Sequence, residues 1–545
     1  MTFSIVTHEA GWKEDFLSYL YSNRPSNYHL NRKVQQLHKS MLVNGRELLS
    51  LKFMPMFQPL PHQINAAEKV IFDMNGSAIL ADEVGLGKTA EAAIILKELQ
   101  LRHLATSVLI LVPSSLAGQW QSELYNLGIS SIIHKGKKEW RTYPVTIASI
   151  DLLKREPFRT IFTDLYFDLV IVDEAHKLSN PKTMNYQFVS SLQKTYLLLL
   201  TATPVQNKSE ELFTLSTLVS PGLFEDKKEF KRMSLENSKI FHERMNSLMI
   251  RTRKKDTDIK WTKRNIEIKW LDQSGYEREL YVAVEKAFRE LKRVNTHQFT
   301  HLTLLKQGCS SSIALLKALK REQHKDLCHV LGPILNITPG QLETVKGKEI
   351  LEIINKRKDK VLVFTQYRAT QLYLQWYLKQ HNVSSVMFRG GFKKGKKKWM
   401  TDLFRDHADV MIATEAGSEG LNLQFCSCVI HADLPWNPMK LEQRIGRIHR
   451  LGQEKDVEII YLLNKNTIEE RIWTLLENKV HLFEAIIGEH EQILSTERIE
   501  AEKYLEDALM NSRSEEEIKY KLNLLEDYLA NEGVNHAERG LQTGN

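Results

Sequence analysis

The chain has 545 residues, 42% apolar and 26% charged, the balance of an ordinary globular protein, and its length corresponds to roughly three to four domains. No apolar run approaches the ~20 residues of a membrane span. The opening MTFSIVTHEAGWKED lacks the basic-then-apolar order of a secretory signal, and four cysteines point to a reducing compartment. Net charge is +8, but residues 468–545 carry 18 acidic and 8 basic side chains, a net of −10, which leaves +18 on residues 1–467. A basic body with an acidic tail points to a polyanionic partner such as nucleic acid, although solubility alone also accounts for charge of this kind.

Residues 1–57 read as a small mixed module. From about Gln58 to Pro221, short apolar runs alternate with amphipathic stretches, and strands are expected at Ala78–Ala81, Ser107–Val112, Asp168–Asp173 and Leu197–Thr201. Such runs, with polar or glycine-bearing ends and helical patterns between them, read as a parallel α/β sheet. Ligands bind these sheets at the carboxyl ends of the strands.

The first strand enters Asp82-Glu83-Val84-Gly85-Leu86-Gly87-Lys88-Thr89, which leads to an expected helix Ala90–Leu101. Backbone N–H groups at a helix start cradle phosphate. Gly85 and Gly87 allow close approach, Lys88 supplies a point charge to the β- and γ-phosphates, and the Thr89 hydroxyl suits Mg²⁺. The strict phosphate-loop pattern has glycine where Asp82 stands. Farther on, Leu169-Val-Ile-Val-Asp-Glu-Ala-His176 is an apolar strand ending in two carboxylates. Two acids at a strand end are often a solvated turn. After a phosphate loop in the same sheet grammar, Asp173 is expected to hold Mg²⁺ and Glu174 to orient the attacking water.

Residues 222–345 are mostly charged helical pattern, with helices expected at Glu279–Val294 and Ser311–Leu319. A second α/β region follows from about Lys346, with strands expected at Lys360–Thr365, Asp409–Ala413, Cys428–Asp433 and Val457–Leu462. Within it, Arg447 and Arg450 of Glu442-Gln-Arg-Ile-Gly-Arg-Ile-His-Arg450 are expected to share one helix face. Two guanidinium forks stabilise charge on a transferring γ-phosphoryl, while the plainer reading is a basic face touching phosphate or solvent. The tail is nearly all helical pattern. Cys426 and Cys428 fall on an expected buried strand, Cys328-His329 has no CxxC partner, and zinc is not expected. Trp120 and Trp436 lie beside motifs, with core packing as competent an explanation for Trp436 as a working surface.

The order Gln63, DEVGLGKT, LVPSSLAGQW, DEAH, TATP, VFTQY, TEAGSEGLNLQ and QRIGRIHRLGQ resembles the motif series of superfamily 2 helicases. Asp82–Thr89, Leu434-Pro-Trp-Asn-Pro438 and Gln443–Gln453 are similar to the Swi/Snf-type DNA-dependent ATPases within it, as is the basic block Ile250–Asp256. The resemblance covers about Gln58 to Gly488. It implies two RecA-like parallel-sheet lobes with helical insertions between them and a helical C-terminal extension. The expected division is 1–57, 58–221, 222–345, 346–488 and 489–545.

By the same resemblance, Gln63 reads adenine, residues 82–89 bind the nucleotide, and Thr89 and Asp173 hold Mg²⁺. Lys88, Asp173, Glu174, Gln443, Arg447 and Arg450 serve hydrolysis of ATP sandwiched between the lobes. Thr201–Thr203 links hydrolysis to nucleic acid. Pro113, Ser114, Thr414–Asn422 and Gly390–Gly391 fall where the family touches the DNA backbone. After the last pair, Lys393, Lys394, Lys396, Lys397 and Lys398 form a basic loop suited to phosphate.

The implied partner is double-stranded DNA, with a DNA-bound protein or RNA polymerase as the object displaced. The expected setting is a bacterial cytoplasm, nucleoid-associated on DNA, with a monomeric motor and no membrane. A strand-separating DNA or RNA helicase, and a motor subunit of a restriction or transcription-recycling complex, stay open as alternatives.

Overall fold

The computed structural model describes residues 47–54, 57–136, 143–201, 209–235, 239–273, 275–291, 298–320, 331–335, 343–357, 359–390, 394–414, 421–435, 438–470 and 472–473. These residues form two compact units. One comprises the described residues up to Asp82 with those from Lys88 to Arg251, the other Glu83–Gly87 with the described residues from Thr252 onward.

The first unit holds a seven-stranded sheet built from β1 (Ala78–Leu80), β2 (Val108–Val112), β3 (Ile132–Ile133), β4 (Val145–Ser149), β5 (Tyr166–Asp173), β6 (Gln193–Leu200) and β7 (Met249–Ile250). Its order is β3-β4-β2-β5-β6-β1-β7, and every pairing is parallel. Alternate residues of each strand face opposite sides, as the two-residue period demands. Leu80, Ile110, Ile171 and Leu198 enter one buried cluster, while Ile79, Leu111, Val172 and Leu199 enter another. A parallel sheet buried on both faces needs near-continuous apolar strands, and Val108–Val112 (VLILV) is buried at every position.

The second unit holds a six-stranded sheet built from β8 (Arg264–Leu271), β9 (Val361–Phe364), β10 (Ser385–Phe388), β11 (Val410–Ala413), β12 (Cys428–His431) and β13 (Val457–Asn464). The order is β10-β11-β9-β12-β13-β8, again all parallel. Leu362, Met411, Val429 and Ile459 point into one core, and Val363, Val410, Ile430 and Ile460 into the other.

Eight helices matter below. They are α1 (Pro61–Glu68), α2 (Lys88–Leu101), α3 (Ala117–Asn126), α4 (Gly275–Leu291), α5 (Gln298–Ser310), α6 (Ser312–Leu319), α7 (Lys394–Asp406) and α8 (Pro438–Ile445). No described helix is long and apolar enough to cross a membrane.

All eight expected strands are present with ends within four residues, and the expected α/β class of two parallel sheets with helical insertions is the one observed. Five further strands lie outside the expected set: β3, β4, β7, β8 and β10. The stretch 222–345, expected to be mostly helical, contributes β7 to the first sheet and β8 to the second, beside helices α4, α5 and α6. β7 is two residues long. β8 is an edge strand with Ile266 61% exposed, so neither shows the apolar block that marks a central strand. Expectations for 1–46, Ala202–Thr203, Gly391–Lys393, Glu415–Gly420, Trp436, Cys328-His329 and 474–545 lie outside the described residues.

Candidate functional site

In the first unit, β1 ends at Leu80 and α2 begins at Lys88. Gly85 (φ +95°) and Gly87 (φ +92°) sit in the left-handed region that glycine tolerates at low cost, so the loop between strand and helix requires them. The Lys88 ammonium reaches back to donate to the Asp82 carbonyl at 2.5 Å. Desolvation holds it below lysine's usual pKa, against the pull of the Asp82, Glu91, Glu174 and Asp173 carboxylates. One lysine is thus gathered with four acids at the carboxyl edge of one sheet.

Asp82 is fully buried, and so is Glu91 in the first turn of α2. Burial and the Asp82 carboxylate push the Glu91 pKa well above the usual carboxylate range, against the pull of Lys88. His62, Asp82 and Glu91 offer ligand atoms within 4.8 Å of one another. Glu91 carries no signal in the sequence motifs beyond being an acid in the first turn of the helix that follows the phosphate loop.

Asp173 closes β5. Its Oδ1 accepts from the backbone N–H of Glu174 at 2.8 Å, and its Oδ2 accepts from Trp120 Nε1 at 2.8 Å. Burial and the adjacent Glu174 push its pKa up to about 6. Glu174 has φ 53° and ψ 46°, a left-handed conformation that a side chain with Cβ disfavours. Backbone strain of this kind gathers at functional positions. Its Oε2 lies 3.2 Å from His176 Nδ1. Gln63, at the start of α1, is buried, and its Oε1 accepts from the Leu60 N–H at 3.1 Å, so the glutamine also caps its own helix.

In the second unit, α8 carries Gln443 and ends at Ile445. Arg447 and Arg450 therefore stand in the turns beyond the helix, which corrects the expectation of a shared helix face. The chain leaves the helix at Gly446, where an added Cβ would meet the Glu442 carbonyl at 3.1 Å.

The arginine-bearing turn is clamped from several sides. Arg264, opening β8, binds both carboxylate oxygens of Glu442 at 3.0 and 3.1 Å and donates through Nε to His449 Nδ1 at 3.0 Å. His449 then carries its proton on Nε2 and donates to the Thr262 carbonyl at 3.0 Å. Burial, with Lys254 and Arg264 nearby, lowers its pKa to about 4 and keeps it neutral. Gln453 Nε2 donates to the carbonyls of Gln424, Cys426 and Ile448.

Arg444 is 1% exposed and donates to the Asp433 carbonyl at 3.1 Å. The clamps made by Arg264 and Thr262 pair residues more than 170 positions from their partners, a pairing that sequence spacing does not show. Cys426 and Cys428 are buried as expected, with burial pushing both thiols up to about 12.

Lys394 opens α7, so the basic run expected as a loop is the first turn of a helix. Lys396 and Lys398 are exposed there, and Lys397 lies over the Phe388 ring at 5.8 Å.

The SNF2-related domain family matches residues 17–328, and the helicase conserved C-terminal domain family matches residues 345–452. The chain is 44% identical over 542 residues to the uncharacterized ATP-dependent helicase YqhH of Bacillus subtilis (strain 168), covering 96% of this chain and 97% of that protein. It is 27% identical over 454 residues to RNA polymerase-associated protein RapA of Sodalis glossinidius (strain morsitans), covering 73% of this chain and 47% of RapA. For RapA of Cronobacter sakazakii the identity is 29% over 459 residues, with the same coverage. The chain thus spans about half the length of the RapA proteins it matches. A solved SWI2/SNF2 ATPase core from Sulfolobus solfataricus, in complex with dsDNA, is similar at 22% identity and a TM-score of 0.38, covering 81% of this chain and 95% of that one.

Proposed function

Because this chain belongs to the SNF2-related family of superfamily 2 helicases and is accordingly an ATP hydrolase, we propose that it is a double-stranded DNA translocase that remodels protein–DNA complexes. The observation that carries the reading is the gathering of Lys88, Asp82, Asp173 and Glu174 at the carboxyl edge of one parallel sheet. Duplex DNA enters through the branch-specific motifs and the +18 charge on residues 1–467.

Each role follows from chemistry. Gly85 and Gly87 let backbone N–H groups approach the phosphates, and Lys88 neutralises the β- and γ-phosphate oxygens. Gln63 reads the adenine edge. The crowded carboxylates of Asp173 and Glu174 and the Thr89 hydroxyl are hard oxygen donors, which fit Mg²⁺. Asp173 and Thr89 would hold that ion, whose bound form supplies charge neutralisation between phosphates. Glu174, in its strained backbone conformation, orients the attacking water and takes its proton. Gln443, Arg447 and Arg450 contact the γ-phosphoryl and stabilise charge as it transfers.

The stretches Pro113–Ser114 and Thr414–Asn422, together with the lysines of α7, track the DNA backbone. Lysines crowd the positive end of a helix dipole here, an arrangement unfavourable by itself and favourable against phosphate. The division 58–221 for the ATP-binding lobe, 222–345 for protrusions and 346–488 for the second lobe stays part of this proposal. RNA polymerase as the complex acted on is a second reading, favoured by the RapA similarity.

The test is the ATPase rate with no nucleic acid, duplex DNA, single-stranded DNA and structured RNA at equal nucleotide concentration. Duplex DNA should stimulate most, and the stimulation should fall steeply with salt as counterion release predicts. Stronger stimulation by structured RNA would overturn the assignment.

A further inference from the structure

Asp173 holds a carboxylate in a desolvated corner, and a carboxylate placed there needs donors on both oxygens. Oδ1 has the Glu174 N–H. The donor to Oδ2 is the indole of Trp120, at 2.8 Å, delivered from the first turn of α3. An indole N–H donates and never accepts, so this contact has one polarity only. Trp120 is 2% exposed and packs in the apolar cluster on one face of the first sheet, so its ring is held by packing and its N–H is fixed in direction.

We propose that Trp120 is a positioning residue for ATP hydrolysis, its indole N–H fixing the Asp173 carboxylate in the orientation that receives the divalent cation of the nucleotide complex. This rests on the role proposed above for Asp173. A rotamer free to turn about Cα–Cβ would present its oxygens to the ion only part of the time. The donor removes that freedom, as outer-shell partners do for metal-ligating groups generally. α3 follows directly from Pro113–Ser114, the stretch assigned above to the DNA backbone, so the same helix joins that stretch to the carboxylate.

The experiment compares the parent chain with Trp120→Phe, with a chain carrying benzothienylalanine at position 120, and with Leu124→Ala. Benzothienylalanine keeps the two-ring shape and replaces N–H by sulfur, so it deletes the donor where Trp120→Phe also disturbs packing. Leu124→Ala empties a fully buried position one turn along α3 without touching Asp173. The readouts are the Mg²⁺ concentration at half-maximal ATPase and the gain in affinity for a fluorescent ADP analogue when Mg²⁺ is added.

Both donor-deleted variants should need on the order of ten times more Mg²⁺ and lose most of the Mg²⁺-dependent gain in ADP affinity. Leu124→Ala should lower the melting temperature and leave both readouts unchanged. In an Asp173→Asn background, deleting the donor should change neither readout further. If the benzothienylalanine protein keeps the parent's Mg²⁺ dependence, the positioning role is overturned. If Asp173→Asn itself keeps it, the assignment of Asp173 fails instead, so the two failures are distinguishable.

Discussion

Asp173 and Asp433 occupy similar places in the two sheets. Asp173 closes β5, the fourth strand of the first sheet, and Asp433 follows β12, the fourth of the second. Their surroundings differ. Asp433 is 2% exposed and accepts from Thr365 Oγ1 at 2.7 Å, Ser310 Oγ at 2.9 Å and the Gln366 N–H at 2.9 and 3.0 Å. Its carbonyl also receives Arg444. Ser310 ends α5, so this carboxylate ties a helix of the intervening segment to the strand ends. Asp173 has one donor per oxygen and a second carboxylate beside it. A strand-end acid saturated by donors is a fastener. One left crowded with like charge has capacity for a cation, and the number and sign of its partners separates the two roles.

The largest effects should come from residues that act only on the reaction. Arg447→Ala and Arg450→Ala should each lower DNA-stimulated turnover by about 10³–10⁵-fold, with DNA affinity nearly intact by fluorescence anisotropy. Lost DNA binding with full turnover at saturating DNA would make them phosphate contacts instead. Glu174→Gln should retain Mg·ATP binding in equilibrium dialysis while turnover falls roughly 10²–10⁴-fold. An active Glu174→Gln enzyme would remove the base assigned to the first sheet.

On the fastener side, Asp433→Ala leaves the Gln366 N–H and two hydroxyls without their acceptor. Denaturant unfolding should show a loss on the order of 3 kcal/mol.

Glu277 gives a pH test within the second unit. Burial raises its pKa to about 7, opposed by the Val345 N–H and the nearby Lys346 and Lys348. Between its ordinary value near 4.5 and about 7, the folded chain holds a proton that the unfolded chain releases. Stability contributed by this site therefore falls as pH rises through that window and is level above it. Glu277→Gln, which keeps an acceptor for Val345, should match the parent near pH 4.5 and exceed it at pH 8 by roughly 3 kcal/mol. A thermal midpoint difference that does not change with pH would contradict this.

The smallest effect is expected at α7. Lys396→Gln with Lys398→Gln should raise the DNA concentration for half-stimulation and lower the magnitude of the salt slope by about 0.9 for each lost phosphate contact. The ceiling rate should stay within about twofold of the parent. An unchanged salt slope would make those lysines a solvated face.

The sequence made the first sheet's chemistry legible because its residues are contiguous. Asp82–Thr89 and Leu169–His176 each carry strand, turn and charge within one short segment. The apolar blocks VLILV and LVIV marked central strands for the same reason. The fasteners were hidden, because Arg264 with Glu442 and Asp433 with Ser310 are brought together only by strand order. β8 was missed because an edge strand alternates apolar and charged residues over Arg264–Leu271 inside a segment rich in helical pattern. The arginine pair was misplaced by spacing alone. Residues three apart suit a helix, but Gly446 stands just beyond Ile445, where the helix ends.

The contrast between the two acids is tested most directly by measuring Asp173→Asn and Asp433→Asn together, for melting temperature and for the Mg²⁺-dependent gain in nucleotide affinity. Asp173→Asn should lose that gain and melt closer to the parent than Asp433→Asn does, since the buried donor it leaves without an acceptor is offset by removal of a charge that burial and Glu174 disfavour. Asp433→Asn should melt several degrees lower and keep the gain while folded. If Asp433→Asn loses the Mg²⁺ effect and Asp173→Asn keeps it, the catalytic carboxylate has been placed in the wrong sheet.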